Sequence, residues 1–558
     1  MFRDVPATDR GSRLRVEALE DRATPAGNLT ATVVGDVLTL TGDQFANQIQ
    51  VRITKESAPS TASTVLVTGQ GATTVDGQAS KSFAGIRSAR VNLRDGNDVL
   101  VADPAGDLDL ARSLTVDLGG GDNTLTLAPG GKLSLGGLSV RAGDGADTVE
   151  LSAGAAPEQV VFGAVSLTLG DGDTSTSVFG VELSGGLRLS TGDGDDEMSL
   201  DGVSSATPAG GHGAVTASTG AGLLDVVLSG TDLGTVALTG LGDVNLVVTD
   251  GASRALSVAG GPFGFVDAAF DGDSEVQGAL AVRGYQPRLN VLGGSLTVAG
   301  DVAVTGPAAA VFTNQATASL AKSLAVRSSA GDAVVQAAGT SLTVGTNLTV
   351  AGVNSTDTSF TSTGPSQIKG TASIRGGPAP DTFTANANFR VGKSLSFTLG
   401  AGPDAVSLIG SGGTATVGGA LTMDTGSGID AVYLERVGVT GSTLIRTGAG
   451  ADAVVIQSDS KFTGPVTIDL GTGDDSLTAA TFGGSPGPVT FSAKAVVRLG
   501  GGNDSLTLGV AGAANSKVVF GVAGTLIDGG PGLNLYDDEA GQVDGTSMTM
   551  VGLTDPTP

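Results

Sequence analysis

Hydrophobic and polar residues alternate along short stretches of this chain, and closely spaced glycines end the stretches. In residues 466–478 the apolar positions are Val466, Ile468 and Leu470, and Gly471 and Gly473 follow at once. A period of two residues is that of a β-strand with one buried face. Paired glycines allow positive φ, so the chain can turn sharply there. The pattern predicts a strand, a Gly-x-Gly-x-Asp turn and a second short strand.

The same unit recurs along most of the chain. Its copies are separated by between 22 residues, from Asp430 to Asp452, and 29 residues, from Asp475 to Asp504. A four-stranded propeller blade needs around 40 residues, whereas one coil of a solenoid fits this spacing. The predicted fold is all-β, an elongated parallel β-helix (solenoid) with about 22–29 residues per coil. The last polar residues of the turns are Asp98, Asn123, Asp147, Thr174, Asp196, Asp381, Asp404, Asp430, Asp452, Asp475 and Asp504.

Stacked coils bring these acids close together. Equivalent residues of adjacent coils lie about 4.8 Å apart. Two charges at that spacing repel by about 1 kcal/mol in water, and by several at a lower effective dielectric. Such a column of acids is expected to bind cations, to accept hydrogen bonds from turn amides, or to have raised pKa values.

The turns also divide the chain into segments. Acids at the last position of the glycine turns are frequent in two blocks of the chain. They are nearly absent between these blocks, where Leu-x-Val patterns continue. We expect the strands of the middle block to continue the solenoid, although a separate domain around 201–275 is an alternative. The predicted segments are 1–26, a targeting or disordered segment with a helix over 12–23; 27–90, an N-terminal cap and first coils; 91–200, coils with acidic turns; 201–370, coils with degenerate turns; 371–535, coils with acidic turns; and 536–558, a C-terminal cap or tail.

Composition and charge exclude several classes of function. The 558 residues carry a formal net charge of −26, which argues against binding nucleic acid by neutralising phosphates. No cysteine is present, which excludes disulfides and thiolate chemistry, and no 18-residue apolar span predicts a transmembrane helix. His212 is the single histidine and lies in a glycine-rich stretch, so an exposed turn residue is favoured over a catalytic one. The chain has no Trp and only three Tyr, so few aromatic side chains are available to stack on sugars or bases.

The N-terminal segment differs from the rest. Its run from Leu14 to Ala26 contains the order Glu-x-Leu-Glu-x-Arg-x-x-Pro, with five arginines before residue 23. This run resembles the LEPR-XLL-type segment of large bacterial cell-envelope proteins. The resemblance implies export or envelope targeting, and therefore an extracellular or cell-envelope location. The alternative is a disordered charged tail.

The turns resemble the haemolysin-type (RTX) calcium repeat, Gly-Gly-x-Gly-x-Asp-x-U-x. The run Gly500-Gly501-Gly502-Asn503-Asp504-Ser505-Leu506 comes close to it. The resemblance implies Ca²⁺ held between successive turns, although here each motif stands once per coil. The alternative is that the acids cap turn amides and bind no metal. The candidate calcium ligands are Asp95, Asp98, Asp144, Asp147, Asp193, Asp196, Asp404, Asp430, Asp452, Asp474, Asp475 and Asp504, with Asp144/Asp147, Asp193/Asp196 and Asp474/Asp475 as the favoured pairs.

These features favour a secreted or surface-attached structural, adhesin-like repeat protein. The Leu-x-Val repeats of 278–352 are similar to the β-helical stalks of bacterial surface adhesins. Extracellular polysaccharide or cell-envelope components are the expected partners. The alternative is a β-helical polysaccharide lyase or hydrolase, which would use clustered carboxylates with Arg or Lys. Few aromatics and the lack of long loops to wall a groove argue against catalysis.

Overall fold

The fold was analysed in a computed structural model of the chain. It describes residues 27–56, 60–153, 161–205, 213–386, 388–480, 487–509, 517–538, 543–545 and 548–554. These residues form a parallel β-solenoid of about 18 turns, which confirms the predicted fold class. None of them is helical; the helix predicted over 12–23 lies outside the described residues, as does His212. No helix of the described chain is long and apolar enough to cross a membrane.

Each complete coil contributes one strand to each of three faces. The leading face holds the strand that enters the glycine turn, the trailing face holds the strand that leaves it, and the third face lies between the trailing strand and the next leading strand. Neighbouring coils pair in parallel on every face.

The strands of the leading face are Val37–Thr41, Ser88–Asn92, Leu108–Asp117, Leu133–Arg141, Val161–Thr168, Leu187–Ser190, Val215–Thr219, Asp232–Gly240, Ala252–Ala259, Leu280–Arg283, Val302–Gly306, Leu324–Ser328, Leu348–Gly352, Ala372–Arg375, Leu395–Ala401, Leu421–Ser427, Thr443–Arg446, Val466–Asp469, Ala495–Arg498, Thr525–Asp528 and Met548–Val551. The strands of the trailing face are Gln48–Lys55, Val99–Ala102, Thr124–Leu127, Thr148–Ser152, Ser175–Phe179, Asp196–Asp201, Leu223–Ser229, Asp243–Thr249, Phe265–Asp271, Gln286–Val291, Ala309–Asn314, Asp332–Ala337, Thr358–Ser362, Thr382–Asn386, Ala405–Ile409, Ala431–Glu435, Ala453–Gln457, Ser476–Ala480, Ser505–Leu508 and Leu535–Asp538.

The separate strands of the third face are Glu182–Leu183, Asp273–Val276, Ser295–Val298, Thr317–Leu320, Ser341–Val344, Ser366–Ile368, Phe389–Val391, Ala415–Val417, Val437–Val439, Lys461–Phe462, Val489–Phe491, Val518–Phe520 and Val543–Gly545. In several early coils this strand merges with the leading strand, as in Leu108–Asp117, whose first residues pair with the start of Leu133–Arg141.

The core is a column of inward-facing apolar side chains. Val466, Ile468 and Leu470 are at most 1% exposed, as their alternation predicts. On the third face, Phe462, Phe491 and Phe520 of successive coils stack with ring centroids 5.3 and 5.2 Å apart. Because each coil packs against its two neighbours, the core grows along the axis without widening.

The N-terminal part breaks the parallel pattern. Its further strands are Asn28–Val34, Ser63–Gly69, Thr74–Val75 and Ser80–Ile86. Asn28–Val34 pairs antiparallel with Val37–Thr41, and Ser63–Gly69 pairs antiparallel with two other strands. Antiparallel hairpins at the end of a solenoid occupy backbone groups that would otherwise invite edge-to-edge pairing.

The strands of the middle segment stay in register with their neighbours. Asp196–Asp201 pairs with Leu223–Ser229, and the ladder continues through Asp243–Thr249 and Phe265–Asp271 to Gln286–Val291. Parallel pairing is therefore continuous on the trailing face where the acidic turns disappear.

Candidate functional site: the aspartate ladder of the glycine turns

The glycines of the turns serve both backbone conformation and close packing. Gly473 has φ of 138°, a conformation that side chains disfavour. A Cβ atom at this position would lie 1.7 Å from the carbonyl oxygen of Gly450 in the preceding coil. Adjacent turns thus touch backbone to backbone, which explains why glycine recurs once per coil.

The last acid of each turn points into the protein. These side chains occupy the inward positions that begin the trailing strands, and each is at most 2% exposed. They are Asp98, Asp147, Asp196, Asp381, Asp404, Asp430, Asp452, Asp475 and Asp504. The repeated acid is thus a core residue of the turn, and most of the acidic column is withdrawn from solvent.

One oxygen of each buried carboxyl group accepts a backbone N–H from the preceding coil. The amide nitrogen of Asp381 lies 2.8 Å from Oδ1 of Asp404, and that of Asp404 lies 2.8 Å from Oδ1 of Asp430. The series continues at 2.9 Å from Asp430 to Asp452, from Asp452 to Asp475 and from Asp475 to Asp504. Each donor belongs to the residue at the same position one coil earlier. These bonds therefore join coils, and Asp381 in addition accepts the backbone N–H of Gly377 in its own turn at 3.0 Å.

The second oxygen of most of these carboxyl groups is buried without a hydrogen-bond partner among the described residues. This holds for Oδ2 of Asp98, Asp147, Asp404, Asp430, Asp452, Asp475 and Asp504. A buried polar atom left unpaired costs about 1–3 kcal/mol. These oxygens are the main unsatisfied groups of the ladder.

Two asparagines in the ladder show what surrounds the second oxygen. Nδ2 of Asn123 donates to the carbonyl oxygen of Gly121 at 2.8 Å, and Nδ2 of Asn534 donates to that of Gly529 at 2.7 Å. The equivalent atom of an aspartate is Oδ2, which in the same place would face carbonyl oxygens. An ionised carboxylate repels them, whereas a protonated carboxyl group can donate its O–H as the asparagine amide does.

Burial raises the pKa values of seven ladder acids. It raises the pKa to about 6 for Asp98, Asp147, Asp381 and Asp475, and to about 7 for Asp404. The pKa values of Asp430 and Asp504 are raised for the same reason. Amide donors oppose the rise, while neighbouring acids such as Asp381 and Asp430 beside Asp404 add to it. Geometry and pKa both favour a partly protonated ladder near neutral pH.

Asp196 is a contrasting member of the ladder. Its Oδ2 accepts hydroxyl hydrogen bonds from Thr191 at 2.5 Å and Thr219 at 2.6 Å. Its Oδ1 accepts from the hydroxyl of Thr174 at 2.7 Å and from the backbone N–H of Thr174 at 3.3 Å. Three hydroxyl donors and one amide thus occupy both oxygens of this carboxyl group.

Other turn acids lie outside and bond in the opposite direction along the axis. Oδ1 of Asp171 accepts from the amide of Asp193 in the next coil at 2.9 Å, and Oδ1 of Asp474 accepts from the amide of Asn503 at 2.8 Å. The buried acids accept from the previous coil, and these acids accept from the following one. Adjacent turns are therefore joined in both directions.

The predicted calcium pairs are split between these two environments. Asp144, Asp193 and Asp474 are exposed, as is Asp95, and the other eight candidates are buried. In the described part of the chain, no group of three or more His, Cys, Asp or Glu side chains could hold a metal ion. Ca²⁺ takes six to eight oxygen ligands, so the unpaired oxygen with nearby carbonyls is the right donor type but an incomplete cage. Calcium binding stays a prediction.

Two asparagines belong to the ladder without having been predicted from the sequence. Asn534 follows Gly530-Pro531-Gly532-Leu533 and accepts from the amide of Asp504 at 3.1 Å, so its Gly-x-Gly-x-Asn pattern was a usable signal. The backbone amide nitrogen of Asn47 lies 2.6 Å from Oδ1 of Asp98. No glycine pair precedes Asn47, so the sequence contains no turn signal for it. In the middle segment the same row holds core residues, because Leu224 pairs with Asp196 and Val244 pairs with Leu224.

These features define a parallel β-solenoid whose turns are linked by buried carboxyl groups. Comparison with known protein families, with curated proteins and with solved structures gave no match.

Proposed function

We propose that this protein is a secreted or envelope-attached structural rod with an adhesin-like role. The observation that supports it most is the parallel pairing of successive coils, which runs without interruption along the leading and trailing faces of the described residues. About 18 turns at roughly 4.8 Å each give a length of about 90 Å. Such a rod can act as a spacer or present a binding surface along its length.

The surface chemistry fits an extracellular setting. A net charge of −26 keeps a long β-rich protein soluble and separates like molecules. The LEPR-XLL-like segment, outside the described residues, supports export. Ca²⁺ at the turn acids remains a hypothesis within this proposal.

Intact cells of the native host provide the test. We expect a membrane-impermeant amine label and an antibody against the coils to reach the protein on intact cells, or the protein to appear in the medium. Electron microscopy of the purified chain should show rods of about 90 Å. Protein found only inside lysed cells would contradict the proposed location.

The enzyme alternative needs a separate assay. The purified protein is incubated with carboxylated polysaccharides, and new reducing ends and unsaturated products are measured. We expect no turnover. Turnover that disappears when one pair of exposed acids is replaced would favour the lyase or hydrolase instead.

A further inference from the structure

The third face carries no acid over a long part of the rod. Its strands from Ser295 to Phe520 contain no Asp or Glu, although the chain has 56 acids and 30 Lys and Arg residues. In the same coils the other two faces carry acids on their strands: Asp332, Asp424, Glu435, Asp469 and Asp528. The strands of this face are free of acids, which is a local departure in charge for a protein this acidic, and the exposed acids Asp301 and Asp459 lie at its corners.

The lysines of these coils lie on or beside the same face. All lysines after residue 300 either belong to a third-face strand, flank it directly, or occupy the corner that follows it; they are Lys322, Lys369, Lys393, Lys461, Lys494 and Lys517. All six are exposed. None forms a salt bridge with another residue of the described chain. The face therefore presents unpaired positive charge.

A groove runs along the middle of this face. It has a volume of about 320 Å³ and is lined by Lys369, Arg390 and Lys461, with Gly438 and Thr416 between them. Arg390, Thr416, Gly438 and Lys461 lie in one row, each paired with the next across adjacent coils. The two charged ends of this row are three coils apart, or about 14 Å.

The groove continues towards the N-terminus. A second depression of about 350 Å³ shares Gln367 and Arg390 with the first, and adds Thr343 and Asn388. Together they follow the rod axis, with hydroxyl and amide groups between the cations. An extended ligand lying along the axis would contact both.

The fold decides which extended ligand fits. Strands in this groove are hydrogen-bonded on both sides to neighbouring coils, so no free edge is available for a peptide to add as a strand. Hydroxyl and amide side chains suit the hydroxyl groups of sugars. Guanidinium and ammonium groups suit carboxylate or sulfate, and Arg390 can bind either with two parallel hydrogen bonds.

We propose that this face, from Ser341 to Thr463, binds a linear anionic polysaccharide along the rod axis. The inference rests on the adhesive part of the proposed function, for which it names the ligand class. Without aromatic platforms, binding depends on charge and should weaken steeply with salt.

The test uses the full chain and surfaces coated with alginate, dextran sulfate or neutral dextran. Alginate carries carboxylates and dextran sulfate carries sulfates, so the two arms identify the preferred anion. We expect binding to at least one of them, no binding to dextran, and at least a tenfold weakening between 50 and about 300 mM salt.

Two triple variants with equal charge change locate the site. The first is Lys369→Glu, Arg390→Glu and Lys461→Glu. The second, Arg283→Glu, Arg327→Glu and Arg375→Glu, reverses three exposed arginines on the leading face. We expect the first to weaken binding at least tenfold and the second less than threefold, with circular dichroism confirming that both fold. Equal losses would overturn the assignment to this face.

A groove-filling variant tests the shape independently of charge. A Cβ atom at Gly438 would meet nothing closer than Cγ2 of Thr414 at 3.4 Å, so a side chain can be added there without a steric clash with the backbone. Gly438→Gln should weaken binding at least fivefold, and Gly438→Ala should bind as the wild type does. If neither anionic polysaccharide binds while cell labelling still places the rod outside, the ligand proposal fails and the structural role stands.

Discussion

The buried aspartates should make this protein more stable in mild acid than at alkaline pH. A carboxyl group whose pKa is higher in the folded chain than in the unfolded chain holds its proton longer when folded. Stability is then greatest at low pH and falls as the pH rises through the folded pKa values. Those values are about 6 for four ladder acids and about 7 for Asp404. The fall is expected between pH 4 and pH 8.

Asp404→Asn isolates one member of the ladder. The asparagine keeps an acceptor for the amide of Asp381 and places an N–H where Oδ2 has no partner. A shift from 3.8 to about 7 corresponds to a ceiling of about 4 kcal/mol when the group is fully ionised. The part that changes between pH 5 and pH 8 is about 2–3 kcal/mol. We expect the variant to be more stable than the wild type, and most clearly at pH 8.

Thermal melting followed by circular dichroism in EDTA, at pH 5, 6.5 and 8, measures this. The melting midpoint of the wild type should fall as the pH rises, and the midpoint of the Asp404→Asn variant should fall less. The control is Asp243→Asn, which removes one charge from an exposed acid that also accepts an amide, that of Phe265 at 2.8 Å. A wild type that melts higher at pH 8 than at pH 5, or an Asp404→Asn variant destabilised equally at both, would refute the protonated ladder.

Three further outcomes follow from the same geometry. Thr219→Val removes a hydroxyl donor from buried Asp196, and the melting midpoint should drop by the equivalent of about 1–3 kcal/mol, whereas Thr219→Ser should retain most of the stability. Gly473→Ala should destabilise by at least about 2 kcal/mol, because its Cβ would meet the carbonyl of Gly450, while Gly438→Ala should melt as the wild type does. Millimolar Ca²⁺ should raise the midpoint at pH 8 more than Mg²⁺ does; equal effects of the two ions would leave the acids as links between coils only.

The solenoid could be predicted because its signals are local and repeated. Alternation in strands such as Val466–Asp469 and the glycine pair after them specify a strand and a turn, and the spacing of copies specifies a coil. In the middle segment Leu224 and Val244 occupy the row that the buried acids hold elsewhere. Apolar residues in this row remove the turn pattern from the sequence but keep the strands paired in register.

The environment of the acids could not be predicted in the same way. Asp474 and Asp475 are adjacent in sequence, yet the first is exposed and the second is 2% exposed. Both accept a backbone amide, but Asp474 accepts from Asn503 in the following coil and Asp475 accepts from Asp452 in the preceding one. The partners are 23 and 29 residues away, so only the packing of neighbouring coils decides which carboxyl group loses its water. Sequence spacing establishes that acids stack, but not on which side of the backbone.

Acids and lysines are distributed unequally around the C-terminal coils. The glycine turns lie between the leading and trailing faces, and in a three-sided coil that corner is opposite the third face. In the C-terminal coils the turn corner carries exposed Asp474, and the lysines gather at the third face. The leading face carries both signs, because Asp469 pairs with Arg446 and Arg498 of the neighbouring coils. An anionic polymer should therefore bind along the third face, where no acid on the strands balances the lysines, and be repelled at the turn corner.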